Sequence, residues 1–494
     1  MKKIILGLVG AILALTVITS CKKLDLTPYD AVAIETGFKT LQDAKYWDNG
    51  LYAALRARVY GSYNIPQEVQ GEQLNASLDF GNRNGAPHRW GTFFNADDVA
   101  GVYQGYYNGL SNVNIVIKGY DQITPTSAAE TDSLNTFKAD ARLLRAYYLQ
   151  NLALRYAKAY NPATAASDAG IPLLTEFDLT AKPGRATLKA TYDQILADIA
   201  VAKSLNTKRV NHKGAKYFTP DAILAFEARV RLYMQDWAGA YAAANTLIAS
   251  GRYPLYNTAA AIKSYWTNDT YQEDIFRIAA TLAEQVNTNS IYLGLNSAGT
   301  AFVPDFIPTQ TVVDSYDATD LRKPTYFEQK TLLIQGVRYN NVWLVNKYPG
   351  NPALFTSTIT NYQNANKIFR IGEIYAIAAE AAANAGDVGN AVIHLNALRT
   401  ARGLTALSGL TGGTLLDQIR AERTRELNFE GLHLFDLKRW GLGFTRGTAQ
   451  VPAAVNPNTG FINLTISATD PKFTWGLPTN DLLLNPNLTQ NPGW

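Results

Sequence analysis

The sequence predicts an all-α protein, a scaffold of tetratricopeptide-like helical repeats that carries a large, irregular, loop-rich lobe. Two helix-turn-helix units of similar length point to the scaffold. Two stretches rich in Gly, Asn and aromatic residues but without helical periodicity, 64–98 and 256–365, point to the lobe. The composition admits such a fold: 47% apolar residues in a chain of 494 can fill a large core, and 17% charge is too little for a disordered chain.

The chain opens with Lys2 and Lys3, a mostly apolar run over 4–18, then Thr19, Ser20 and Cys21, the layout of a secretory signal. The run is short of the roughly 20 residues that a membrane-spanning helix needs, so residues 1–20 are expected to be a removed signal peptide and 21–494 a single domain. Cys21 is the only cysteine, and Ile18-Thr19-Ser20-Cys21 resembles the lipobox at which bacterial lipoproteins are cut and acylated. Lipidation at Cys21 is therefore expected, and the mature chain, with no disulfide, is held by packing alone.

Leu41, Ala44, Trp47, Leu51 and Leu55 recur at helical spacing and predict the first helix. Periodicity is then lost across 64–98, and loops of that length in compact domains tend to be functional. Helices follow over 136–160, with Leu143, Leu144, Tyr147, Tyr148 and Leu152 inward, and over 187–205. The first repeat unit has Thr219 as N-cap, Pro220 at the first helical position, a turn at Asp236-Trp237 and Gly251 at its end. The second, IFRIGEIYAIAAEAAANAGDVGNAVIHLNALRTARG, repeats that order and closes at Gly403. The scaffold is expected over about 100–255 and 366–445. Within 415–441, opened by a capping-box-like Thr414 and Asp417, Glu422, Glu426 and Glu430 recur every four residues beside Arg423 and Arg425. Interleaved arginines favour a structural ion-pair network over an active-site carboxylate pair.

Several chemistries are excluded. A net charge of +4, spread along the chain, is no nucleic-acid footprint. His88, His212 and His394 stand isolated, so no metal set is indicated, and no phosphate-binding or hydrolase motif occurs. No cofactor is expected, and no pattern marks a structural calcium ion.

What stands out is 28 Tyr, 19 Phe and 8 Trp, many outside periodic segments. A flat aromatic face stacks on the C–H face of a sugar, and amides, carboxylates or Arg at its rim bond the hydroxyls. One loop supplies that set: Asp79, Asn82, Arg83, Trp90, Phe93 and Asn95, with Trp90 the leading contact. Trp266 beside Asn268, Tyr292 near Asn289 and Trp343 near Asn341 are further candidates. For each of these rings the competing reading is a packed core residue. Trp237, Trp440 and Trp475 fall in scaffold motifs and are expected to pack.

AERTRELNFEGLHLFDLKRWG, IFRIGEIYAIAAEAAANAGD with HLNALRTARGL, ARLLRAYYLQNLALRYA and the closing NPNLTQNPGW together resemble the SusD/RagB family of nutrient-binding lipoproteins of Bacteroidota. One departure is His433, where the family usually carries Arg. The resemblance implies an all-helical fold with four tetratricopeptide-like units, a lipid anchor on the outer face of the outer membrane, and no catalysis. It also implies a SusC-like TonB-dependent transporter as partner, for which the protein is a ligand-binding lid. Glycan import is the expected role; a peptide-binding protein of the same family and a surface glycoside hydrolase are the alternatives. A hydrolase needs two carboxylates about 5 to 10 Å apart, and nothing in the spacing of Asp79, Asp97 and Asp98 demands that.

Overall fold

Short polar side chains start most of the long helices where the sequence turns periodic, and the computed structural model describes residues 37–93, 95, 97–286, 290–357 and 361–494. Cys21 and the expected signal peptide lie outside them. Helix α1 (Leu41–Arg56) begins at a capping box, with Thr40 Oγ1 accepting from Asp43 N at 3.2 Å and Asp43 Oδ2 accepting from Thr40 N at 2.8 Å. A short α2 (Ile65–Gln70) leads to α3 (Asp97–Tyr120) and α4 (Ala128–Tyr156). The fourth helix starts well before the expected 136 because Ser127 caps it by accepting from Glu130 N. Thr187 caps α5 (Leu188–Leu205).

The first repeat unit is α6 (Pro220–Tyr233), capped by Thr219 as expected, and α7 (Trp237–Ala249), where Asp236 of the expected turn also serves as the N-cap, with Gly251 in the left-handed region at φ 62°. The second is α8 (Ile371–Asn384) and α9 (Val388–Ala401), joined at Gly386 and Asp387. Helix α7 packs on α8, so the two units stack directly across the long insertion between them. The start of the second motif differs from expectation: Ile368, Phe369 and Arg370 belong to a strand, not to the helix.

The 415–441 run also differs. Helix α10 (Gly412–Leu427) starts from Thr411, which puts Thr414 inside the first turn, its Oγ1 donating to Thr411 O at 2.7 Å. The chain then breaks over 428–432, where Phe429 and Gly431 take φ of 65° and 80°, before α11 (His433–Trp440). Two of the three regularly spaced glutamates therefore lie on α10, and Glu430 lies in the break.

The lobe is less irregular than its composition predicts. Strand β1 (Leu74–Ala76) pairs antiparallel with β3 (Phe306–Pro308), and β2 (Asp274–Ile278) with β6 (Asn366–Arg370). A hairpin joins β4 (Phe327–Ile334) to β5 (Val337–Val345) through Gln335 and Gly336, at φ 50° and 76°. Two consecutive positive φ values are what a two-residue hairpin turn requires to match the strand twist. One apolar core fills the scaffold from α1 to α8, and a second, built on Trp266, Tyr292, Phe306, Tyr326 and Leu344, fills the lobe. No helix of the described residues is long and apolar enough to cross a membrane.

The glutamate series is the ion-pair network expected, and its partners come largely from the lobe side. Buried Glu426 is bonded by Arg322, Arg370 and Arg402; Arg402 also pairs with Glu273 and Arg322 with Asp320. Burial alone would raise the Glu426 carboxyl, but Arg402 and Arg370 hold it well below the usual carboxylate range. Arg425 joins through Glu422, whereas Arg423 turns away to Asp436 of α11 at 2.8 Å. Trp475 is buried and Trp440 donates to Glu380 Oε1 at 2.7 Å, packing roles as expected.

A candidate ligand-binding face on the lobe

Backbone pairing brings three distant segments of the lobe together. Ser77 N donates to Asp305 O and Leu78 N to Ala454 O, which seats residues 77–83 between the end of β3's approach and the 450–454 segment. The hairpin closes the other side: Gln335 N donates to Asp79 Oδ2 at 2.8 Å, Tyr339 Oη donates to Ala453 O, and Gln450 brackets the backbone of Trp343, bonding both its N–H and its C=O at 3.0 Å. Arg83 Nε donates to Asp305 Oδ2 at 2.7 Å, and Asn82 Oδ1 accepts from Arg89 Nη1 at 2.8 Å. The Asp305 carboxyl is raised by burial and pulled back by Arg83.

Asp79, Asn82 and Arg83 thus meet on one exposed face, as the loop composition suggested. The aromatic residues are divided. Trp90, Phe93, Trp266 and Tyr292 are only 5, 0, 1 and 2% exposed, so none offers a free ring face to a sugar. Trp90, taken from the sequence as the leading contact, is a loop anchor instead. Its Nε1 donates to Gln70 O at 2.7 Å and its ring lies edge-on to Phe444 and Phe473. Phe93 packs between Trp475 and Trp494. Trp266 is enclosed by the ammonium groups of Lys347 and Lys367, at 4.4 and 4.8 Å, and by Tyr326 and Tyr348. Tyr292 sits against Phe429 in the lobe core. Trp266 and Tyr292 fill the interior of a lobe that has no long helices, whereas Phe93 belongs to the scaffold core and Trp90 to a small cluster with Leu434, Leu437 and Phe473. Asn95 is exposed but belongs elsewhere, bonded to Thr479.

Trp343 is the candidate tryptophan that keeps solvent-facing surface, half-buried on β5 with Asn340 and Asn341 exposed beside it. Tyr339, Asn340 and Asp305 were not picked out from sequence. The hairpin alternation around Gln335-Gly336 is the signal that would have found the first two; Asp305 has none, because only the fold sets it against Arg83. Among the described residues no group of three or more His, Cys, Asp or Glu could hold a metal ion. The Asp97 and Asp98 side chains, and Asn289, fall outside what is described.

The fold and this face define a helical-repeat protein with a lobe that presents a polar, partly aromatic surface. A "SusD family" model matches residues 255–494, and a SusD-like model described as "Starch-binding associating with outer membrane" matches residues 24–232. A SusD-like protein, P38 of Formosa agariphila, is 23% identical over 97% of each chain. A SusD superfamily protein from Bacteroides thetaiotaomicron superposes with a TM-score of 0.77 at 25% identity, covering 92% of this chain and all of the other. A Bacteroides vulgatus protein described as a putative sugar binding protein gives 0.75 at 22% identity, over 93% of this chain and all of the other. The chain belongs to the SusD-like proteins.

Proposed function

We propose that this protein is a cell-surface lipoprotein, anchored to the outer membrane through Cys21, that binds a glycan and passes it to a SusC-like TonB-dependent transporter. Residues 21–494 would act as one domain, without catalysis and without a cofactor. The observation that carries the reading is the lobe face on which Asp79, Asn82 and Arg83 adjoin a hairpin bearing half-open Trp343. A carboxylate, an amide and a guanidinium at the hairpin tip, with a half-open indole flanked by Asn340 and Asn341 roughly 20 Å along the same hairpin at about 3.3 Å per strand residue, are groups that an extended sugar chain can span. Family membership supports the same role, as does the sugar-binding description of a structural neighbour. A lipid anchor would hold the lid near its barrel at high local concentration, so modest affinity per sugar suffices.

Calorimetry of the fragment that begins after Cys21, against plant, fungal and host polysaccharides and mixed peptides, tests it. Saturable glycan binding without release of reducing ends is expected, and Trp343→Ala should weaken it about tenfold. Binding to peptides alone, or release of reducing ends, would replace the glycan-import reading.

A further inference from the structure

Scaffold and lobe leave a polar cavity of about 70 Å³ where they meet, lined by α4, the end of α1, residues 63–67 and the break after α10. On the measure by which one water needs about 10–15 Å³, it holds roughly five water-sized particles, too few for an oligosaccharide.

Its charges do not balance locally. Three of the charged lining groups are matched by partners outside the cavity: Arg229 by Glu373, Lys367 by Asp269, and Glu430 by Arg370 and Lys347. Arg58 and Arg155 are not; among the described residues neither forms an ion pair. Arg58 Nε donates to Gly105 O at 2.7 Å and its Nη1 to Ala54 O at 2.7 Å. Arg155 is 1% exposed, donates to Tyr63 O and Asn151, and lies over the rings of Tyr106, Phe435 and Trp475.

Two donors at the cavity have no protein acceptor among the described residues, Arg155 Nε and Gln150 Nε2, both on side chains at least nine-tenths buried. One acceptor, Gln67 Oε1, is also free, which suits a bridging water. Beyond Phe435, Lys438 donates to Leu154 O and Ala157 O; burial, then nearby Arg155 and Arg185, push its ammonium down to about 7. Lys438 is thus pushed toward its neutral form near pH 7, and the positive excess rests on Arg58 and Arg155. A buried guanidinium costs several kcal/mol unless a counter-charge or a full set of hydrogen bonds meets it.

From this geometry we infer that the seam cavity is a site for one small anion, a halide or a short carboxylate, held by Arg155 Nε, Gln150 Nε2 and the Arg58 guanidinium. The anion would supply the missing counter-charge between scaffold and lobe, distinct from the exposed face proposed for glycan.

Crystals of the protein beginning after Cys21, soaked in bromide, test the site directly, together with melting curves in chloride against gluconate at constant ionic strength. One anomalous peak beside Arg155 is expected, with Tm rising with the logarithm of chloride once the site fills. Arg155→Gln threatens the fold, so Gln150→Leu is the working variant: it should keep the fold and weaken bromide binding about tenfold, the loss of one hydrogen bond to a charged group. Formate displacing bromide assigns the carboxylate form, and bromide resisting formate assigns the halide. A cavity without a bromide peak, with Tm indifferent to the anion, overturns the site and leaves the glycan reading untouched.

Discussion

The polar side chains that start the repeat helices act on their own turn, whereas the buried charges that tie down the lobe reach partners from 56 to 363 residues away. Thr219 caps Ala222, Asp236 caps Gly239 and Asp387 caps Asn390, each three residues ahead. In the lobe, Lys347 donates to Asn428 O at 2.7 Å and Glu430 Oε1 at 2.5 Å, Arg370 reaches Glu426, and the Glu68 carboxylate accepts from Gly431 N. The contrast teaches that the scaffold is assembled from local signals, whereas the lobe is stapled to it by buried charges whose partners lie far away in sequence.

Breaking that staple should have the largest effect. Glu426→Ala leaves Arg322, Arg370 and Arg402 buried without their shared carboxylate, and urea unfolding should show a loss of about 3–5 kcal/mol. A loss no greater than that of a surface substitution would show that the lobe stands on its own core. Thr219→Ala removes a local cap and should cost about 1 kcal/mol, with helix α6 otherwise intact by hydrogen exchange.

The finest comparison is at His433, whose Nε2 meets Glu72 Oε1 at 2.7 Å where α11 touches the lobe. Burial opposes charge on this His, but Glu72 outweighs it and raises the imidazolium above its ordinary value, while burial of Glu72 is outweighed by His433 and its carboxyl is lowered. A raised folded pKa gives stability that is complete below about 6.5 and lost as pH rises through the folded value. Glu68, raised by burial to about 7, adds the same sign, since its folded carboxyl keeps a proton that the unfolded one has lost. Tm should therefore fall as pH rises from 6.5 to 7, above which Lys347 and Lys438, pushed down to about 7 by burial, add stability of the opposite sign. His433→Arg, which keeps its charge, should flatten that fall to the part due to Glu68. An unchanged pH profile would remove the Glu72 pair from the account.

The helical repeats were legible, and so was the cap at Thr219-Pro220, because a cap and its helix occupy the same few residues; Asp236 was legible only as part of a turn. The ion-pair character of Glu422 and Glu426 was legible from the arginines interleaved with them. The break after α10 and the start of α4 were not, since Phe429 in the left-handed region is allowed by tertiary contacts alone and Ser127 lies outside the apolar stripe that marks its helix.

For the face on the lobe, residue types were readable and exposure was not. Asp79, Asn82 and Arg83 are too polar to bury without partners, so their place at the surface follows from sequence. A Trp in a loop fits equally well as a stacking platform or as core, and composition is silent between them. Only the fold decided that Trp90 and Trp266 fill space while Trp343 stays half open, because which ring is covered depends on segments distant in sequence, Phe444 and Phe473 for Trp90 and Tyr326 and Tyr348 for Trp266, folding over it.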